Sequence, residues 1–242
     1  MSRGFKIMVS GDYALFTRPE MKVERVSYDV PPPGALEGLL KSVYWKPAIR
    51  YEIDRIIVFH PIRFLNVRRN EVKNKVSSLS VRSQMEGKGK DPCVYTSEAR
   101  TQRASMLLRD VCYGVEFHFE MTGLKSDHED EDEKKHFHII RRRLEKGQWF
   151  RTPCLGCAEF PVRSLELVES FDLSRISPEI LAMGDVDLGY MCYRVEFEDK
   201  GIPLNHDWEN PVFSDRASPV YYRPHMIGGV IDVRQYKEMM IC

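Results

Sequence analysis

The sequence contains few of the patterns that identify common enzymes or exported proteins. It has no phosphate-binding loop, G-x-G-x-x-G, G-x-S-x-G or H-E-x-x-H motif. The sequence therefore does not indicate a nucleotide-binding enzyme, an α/β-hydrolase or a zinc metalloprotease of the kinds that these motifs identify. No apolar run approaches the ~20 residues of a membrane-spanning helix. Residues 1–16 lack the sustained apolar core of a signal peptide. We therefore expect a cytoplasmic protein without a membrane partner.

Cysteine is present, but not in a strong metal-binding pattern. Cys154 and Cys157 form the one C-x-x-C, whereas a zinc ribbon needs a second pair or closely spaced histidines. His136 and His138 are the candidates for further ligands, but they precede the cysteines by too many residues for a strong signal. We predict reduced thiols, no metal and no cofactor. A zinc-stabilised binding module is an alternative that a metal assay would decide.

The charge is balanced overall but uneven along the chain. There are 36 Lys and Arg against 36 Asp and Glu. Residues 1–110 hold 20 basic against 12 acidic side chains, and residues 134–163 hold 8 against 2. An acidic stretch at 111–133 separates these zones, and the C-terminal third is acidic. Two basic zones could therefore hold a polyanion although the net charge is zero.

The order of predicted elements indicates an α+β fold. Strands are predicted at 5–10, 51–60 and 111–121, with extended regions at 63–75 and 158–169, helices at 34–45 and 130–146, and a long loop at 76–103. This is a ferredoxin-like (RRM-like) βαββαβ domain, placed at 1–169. A small antiparallel β-rich domain follows at 170–242, with strands at 190–197, 216–223 and 226–233. The aromatic RNA-recognition signature is missing, so RNA would be held elsewhere than on that stacking surface.

Three residues are candidates for chemistry. Lys135 and His136 begin a helix whose acidic front and basic back suit the helix dipole. Histidine can transfer a proton near neutrality, and lysine can stabilise charge on a phosphate. The alternative is a solvated surface pair. Tyr44 ends the first predicted helix, and its alternative is a half-buried core aromatic with a hydrated hydroxyl.

Seven sequence blocks, in this order, resemble a known family. They are GDYALFTRPE at 11–20, SVYWKP at 42–47, RRNEVKNK at 68–75, RTQRASMLLRDVCYGVEFHFEMT at 100–122, KKHFHIIRRRLEKGQWFRTPCLGCAEFP at 134–161, DLGYMCYRVEF at 187–197 and GVIDV at 229–233. Together they resemble the Dvulg-type Cas protein of CRISPR subtype I-C. The resemblance implies a ferredoxin-like domain with a β-rich extension, and metal-independent cleavage of precursor CRISPR RNA at the repeat hairpin. It implies Tyr44, Lys135 and His136 as catalytic residues.

The resemblance also implies partners. These are the precursor RNA repeat hairpin, the mature crRNA 5′ handle, and the backbone and large subunits of the subtype I-C effector complex. Two alternatives remain: a non-catalytic scaffold that binds the 5′ handle, and nonspecific binding of double-stranded DNA. Basic residues in both zones are candidate phosphate contacts, namely Arg68, Arg69, Lys73, Lys75, Arg100, Arg103, Arg141, Arg142 and Arg143.

A metal-free ribonuclease can use the substrate 2′-hydroxyl as nucleophile and leave a 2′,3′-cyclic phosphate and a 5′-hydroxyl. His136 suits proton transfer, because the ordinary pKa of histidine is about 6.5. The helix geometry raises a question, since a twelve-residue helix is about 18 Å long and parallel helices would separate Tyr44 from Lys135. Either a helix boundary is misplaced, or RNA bridges the gap, or Tyr44 only binds.

Overall fold

The computed structural model describes residues 4–21, 23–89, 91–124, 132–207 and 209–240. The acidic segment 125–131, including the predicted helix start at 130, lies outside these residues. The strands are β1 Phe5–Ala14, β2 Arg25–Val26, β3 Ile49–Val58, β4 Phe64–Val72, β5 Arg100–Met121, β6 Ser164–Leu167, β7 Asp185–Asp187, β8 Met191–Phe197, β9 Ala217–Tyr222, β10 His225–Ile227 and β11 Val230–Asp232. The helices are α1 Pro33–Val43, α2 Ser78–Met85, α3 Glu133–Glu145 and α4 Pro178–Ala182, with 3-10 turns at Leu173–Arg175 and Val233–Tyr236.

The central sheet has the strand order of a ferredoxin-like domain. Its first four neighbours are β6, β1, β5 and β3, and each adjacent pair is antiparallel. With α1 after β1 and α3 after β5, the chain follows the predicted βαββαβ path, in which β4 is an added strand. The predicted ferredoxin-like fold is therefore confirmed.

The longest strand, β5, serves two structures. Its C-terminal half lies between β1 and β3, and Val111, Tyr113, Val115, Phe117 and Phe119 all point into the core, as their alternation predicts. Its N-terminal half pairs with β4 along residues 64–72. The strand thus begins at residue 100 rather than 111. The sequence does not reveal residues 100–106 as strand, because five of the seven are polar or charged and form no apolar face.

Two further predictions of local structure were wrong. The long loop predicted at 76–103 contains α2, whose side chains are all outside the core, so no apolar periodicity announces it. The single strand predicted at 226–233 is the hairpin β10–β11. Gly228 and Gly229 form its turn with φ of 55° and 83°, a backbone region that glycine enters without strain.

Helices α1 and α3 cover the sheet face that carries Phe117 and Phe119. Pro33 begins α1, which buries Leu36, Leu39, Leu40 and Val43. The Asp132 side chain caps α3 by accepting from the Lys134 N–H. Phe137 of α3 stacks on Phe5 at 4.7 Å between ring centroids, and Phe5 stacks in turn on Phe117.

The part after residue 170 is β-rich and antiparallel, as predicted. Strands β11, β10 and β7 extend the central sheet beyond β3, while β8 and β9 form a separate two-stranded sheet beside α1. A buried charged cluster joins the parts, with Arg194 Nη1 at 3.3 Å from Glu52 and 3.8 Å from Glu37. The boundary at 169/170 stays a prediction. Within the described ranges, no helix has the length and apolar character needed to cross a membrane.

Candidate active site

Tyr44 and His136 meet directly. The Tyr44 hydroxyl lies 2.9 Å from His136 Nδ1, and the two ring centroids are 5.9 Å apart. Helix α1 ends at Val43, one residue before the tyrosine and two before the predicted end. Tyr44 is the C-cap with extended backbone angles of −156° and 132°, so its side chain leaves the helix. Of the three explanations given for the expected separation of Tyr44 from the start of the second helix, the misplaced helix boundary is therefore the one that applies.

The burial of α3 separates the two neighbours Lys135 and His136. His136, Ile140 and Leu144 are spaced by four residues and form one buried row. The His136 ring also packs edge-on against Phe119. Lys135 lies off this row and is exposed. The surface alternative therefore fits Lys135 but not His136, and the Tyr44 hydroxyl is bonded rather than hydrated.

Arg143 holds Tyr44 from the second half of α3. Its Nη1 donates to the Val43 carbonyl at 2.6 Å, and its guanidinium lies over the Tyr44 ring, 5.3 Å from the centroid. The Tyr51 hydroxyl donates to the Tyr44 carbonyl at 2.7 Å. Burial raises the pKa of Tyr51 far above its usual range, so this hydroxyl stays a donor. The sequence signal for Arg143 is its position seven residues after His136, two helical turns along the same face.

The segment after α3 closes the end of α1. The last carbonyls of a helix have no partner inside it and need one elsewhere. The N–H groups of Phe150 and Arg151 donate to the Ser42 carbonyl at 2.9 and 3.1 Å. Together with Arg143, they supply the C-terminal carbonyls of α1 with donors. This cap fixes the point at which Tyr44 leaves the helix.

The hydrogen-bonded pair is almost inaccessible in this conformation. His136 is 1% exposed and Tyr44 is 6% exposed. Lys135 is the one predicted catalytic residue that lies at the surface. Side chains that cover the imidazole must therefore move before a substrate can touch it.

The predicted phosphate contacts fall into two groups. Six lie on or beside the β4–β5 ribbon, and of these Arg69 is paired with Glu159 and Arg103 with Glu71, the latter at 3.3 Å. Arg141 is bonded to Glu145 on α3. The exposed members are Arg68, Lys73, Lys75, Arg100, Arg141 and Arg142. All nine phosphate contacts stay predictions.

The C-x-x-C pair lies in the turn before β6. Cys154 and Cys157 are half-buried, and burial raises the pKa of Cys154, which disfavours the thiolate that zinc requires. No group of three or more metal-ligating side chains occurs within the described part of the chain. The absence of a metal remains a prediction.

Comparisons with known proteins agree with one another. The family model Cas_Cas5d, described as CRISPR-associated protein (Cas_Cas5), matches residues 4–234. The CRISPR pre-crRNA endoribonuclease Cas5d of Mannheimia succiniciproducens is 39% identical over 234 residues, covering 96% of each chain. The protein of the same name from Thermus thermophilus is 38% identical and covers 82% of this chain and 76% of its own.

One solved structure extends the likeness to the fold. The functionally uncharacterized protein SMU1763c from Streptococcus mutans superimposes with a TM-score of 0.63 at 23% identity, covering 100% of this chain and 98% of that one. At this identity the likeness concerns the fold alone.

Proposed function

Because the chain belongs to the Cas5d family of CRISPR-associated proteins, we propose that it is a metal-independent endoribonuclease that cleaves precursor CRISPR RNA at the repeat hairpin. The observation that carries the proposal is the 2.9 Å contact between the Tyr44 hydroxyl and His136 Nδ1. Sequence comparison supplies the class of activity, and this contact supplies a proton-transfer pair in the place where the resemblance expects it.

The reaction needs no group from outside the chain and the RNA. The 2′-hydroxyl loses its proton and attacks the adjacent phosphorus. The bond from phosphorus to the 5′-oxygen breaks, that oxygen takes up a proton, and a 2′,3′-cyclic phosphate remains. His136 and Tyr44 serve the proton transfers. Lys135, which precedes His136 and is exposed, would stabilise charge on the phosphate.

The direction of this hydrogen bond is linked to the tautomer of His136. If the Tyr44 hydroxyl donates to Nδ1, a neutral ring carries its proton on Nε2, and that N–H can donate a hydrogen bond to a phosphate oxygen of the RNA. If Nδ1–H donates to the tyrosine oxygen, Nε2 is the basic nitrogen. Both assignments place the reacting proton on the side of the ring away from Tyr44.

RNA binding would involve the basic ribbon as well as the catalytic pair. The exposed Arg68, Lys73 and Arg100 would follow the phosphate backbone and give affinity without reading sequence. After cleavage the protein would keep the 5′ handle and join the backbone and large subunits of the subtype I-C effector complex. The cytoplasmic location stays a prediction.

The direct test is cleavage of the repeat hairpin RNA in EDTA, with analysis of the product ends. We expect a cyclic phosphate and a 5′-hydroxyl from wild type, and a loss of about 10²-fold or more in single-turnover rate for His136→Gln and Tyr44→Phe. His138→Gln is the matched control, because His138 lies two residues on in α3 and is exposed. The binding affinity of all four proteins is measured in parallel.

A second function is favoured by the burial of His136. A non-catalytic scaffold that holds the 5′ handle would not need an accessible imidazole. Tight RNA binding by wild type without cleavage would support this scaffold and refute the ribonuclease. Equal affinity for unrelated double-stranded DNA, falling steeply with salt, would instead support nonspecific DNA binding through the ribbon.

A further inference from the structure

Three large aromatic side chains surround the capped end of α1 and point outwards. Trp45 is 53% exposed, Trp149 is 44% exposed and Phe150 is 87% exposed. Trp45 follows Tyr44 directly, whereas the other two follow α3 by several residues. The hydrogen bonds from Phe150 and Arg151 to the Ser42 carbonyl bring the two segments together.

The backbone, rather than the rings, makes this connection. The N–H groups of residues 150 and 151 bind Ser42, and the Gln148 N–H binds the Arg143 carbonyl at 2.8 Å. Gly147 makes the turn out of α3 with φ of 60°. The rings are therefore not needed for capping, and clustered exposed apolar surface is typical of a binding site.

The charges around the rings indicate which ligand they suit. Trp45 is followed by Lys46, and Phe150 is followed by Arg151, which is exposed. Surfaces that bind single-stranded nucleic acid combine aromatic rings, on which bases stack, with cations that hold the phosphates. A protein partner would suit the rings but gives no reason for the cations that follow Trp45 and Phe150.

We propose that Trp45, Trp149 and Phe150 form a stacking platform for unpaired bases of the RNA next to the cleaved phosphate. This rests on the proposed function in taking the precursor RNA as the ligand. Bases in a stem hide their faces in the helical stack, so only the single-stranded flank of the hairpin can use the platform. The platform would thus help to choose the cleavage position by requiring an unpaired flank.

The test compares two proteins and two RNAs in EDTA. The double variant Trp149→Leu/Phe150→Leu removes both rings but keeps apolar side chains and the capping N–H groups. The RNAs are the repeat hairpin with its natural unpaired flanks and the same RNA with abasic nucleotides in those flanks, which keep every phosphate. We expect base removal to weaken binding by wild type roughly 5- to 150-fold per stacked base. It should weaken binding by the variant by a smaller factor, because only Trp45 of the platform remains.

Two controls isolate the rings. Phe150→Tyr keeps an aromatic face and should retain the wild-type dependence on flanking bases. Phe197→Leu removes an exposed ring in β8, outside the platform, and should also retain it. If the double variant and wild type lose the same factor on base removal, the rings do not stack on bases and the proposal is wrong.

The outcomes also separate the platform from the ribonuclease. Ring-dependent base binding by a wild-type protein that cuts nothing would keep the platform and refute the catalytic function. Cleavage at the same rate with and without the rings, and with and without the flanking bases, would keep the ribonuclease and refute the platform. A double variant that binds both RNAs as wild type does, but loses association with another protein, would refute the platform in favour of a protein-docking surface.

Discussion

The side chain of Glu37 should destabilise the folded protein at neutral pH. It lies buried on α1, seven residues before Tyr44. Its two cations, Lys41 and Arg194, are each 3.8 Å away, and no donor in the described part of the chain bonds to its Oε1. Burial raises the pKa of Glu37 from 4.5 to about 7, against the smaller opposing effect of these cations.

The direction of the change in stability with pH follows from the proton that Glu37 keeps in the folded state. As pH rises from 4.5 towards 7, the unfolded chain releases this proton while the folded protein retains it, so the free energy of unfolding falls. The stabilisation is complete below pH 4.5 and is lost by the time pH passes about 7. Because one pKa unit corresponds to about 1.36 kcal/mol, the loss is roughly 3 kcal/mol.

The variant Glu37→Gln keeps the shape of the side chain and cannot ionise. It should equal wild type in stability at pH 4.5 and exceed it by up to about 3 kcal/mol at pH 8. Urea denaturation at the two pH values, followed by circular dichroism, measures the difference directly. A variant that is equally or less stable than wild type at pH 8 would refute the reasoning.

Glu52 is the matched control, because it is buried in the same cluster with the opposite electrostatics. Arg50, Lys237 and Arg194 lie 2.9, 3.2 and 3.3 Å from its carboxylate oxygens. Burial opposes ionisation, but Lys237 and the two arginines outweigh it and lower the pKa of Glu52. Its contribution is present above the ordinary pKa and lost as pH falls, so Glu52→Gln should destabilise the protein at pH 8 and have less effect in acid.

Three further changes test other parts of the molecule. Arg143→Met removes a charge-assisted hydrogen bond worth ~1.5–3 kcal/mol. It should lower the melting temperature, and it should slow single-turnover cleavage at saturating protein by releasing Tyr44. Gly156→Ala should cost more than ~2 kcal/mol, since φ is 86° and the new Cβ would overlap the carbonyl oxygen that follows β1; Gly184→Ala, with φ of 66° and open space around it, should cost less in the same denaturation assay. Arg68→Gln should weaken RNA binding uniformly across sequences and reduce the slope of log affinity against log salt by about one.

The core of the fold is predictable because its patterns are local. The alternation from Val111 to Phe119 identifies the central strand, since a strand buried on one face needs that period. Pro33 and the leucines of α1 identify the first helix in the same way. The strand order then follows from the βαββαβ sequence of elements, which is typical of a ferredoxin-like domain.

The ribbon of β4 and β5 could not be predicted by that logic. Residues 100–106 continue a core strand past the edge of the core, where Ser105 alone is buried and the others are exposed or half-buried. Their partner is β4, and this pairing is a property of two segments that neither segment reveals alone. Arg69 and Arg103 show the same limit: their sequence predicts phosphate contacts, but Glu159 and Glu71 lie against them in the folded chain.

The contact between Tyr44 and His136 depends on where helix α1 ends, and no local sequence pattern predicts that end. Sequence spacing places His136 in line with Ile140 and Leu144, and so in the buried row of α3. The position of Tyr44 depends instead on where α1 stops, and its last carbonyls are supplied by Arg143 and by the N–H groups of residues 150 and 151. The end of one helix is thus determined by the segment that follows the other.

In the segment that follows α3, the backbone caps α1 and the aromatic side chains are left exposed. This division of roles explains its sequence. Capping uses backbone N–H groups and a left-handed turn at Gly147, and it makes no demand on the side chains of Trp149 and Phe150. An exposed phenylalanine gains nothing from the hydrophobic effect unless something covers it. Because the cap bonds this segment to Ser42, two residues before Tyr44, a ligand that covers the rings would lie near the proposed catalytic pair. Binding at the rings and opening of the buried imidazole can therefore be coupled through the end of α1.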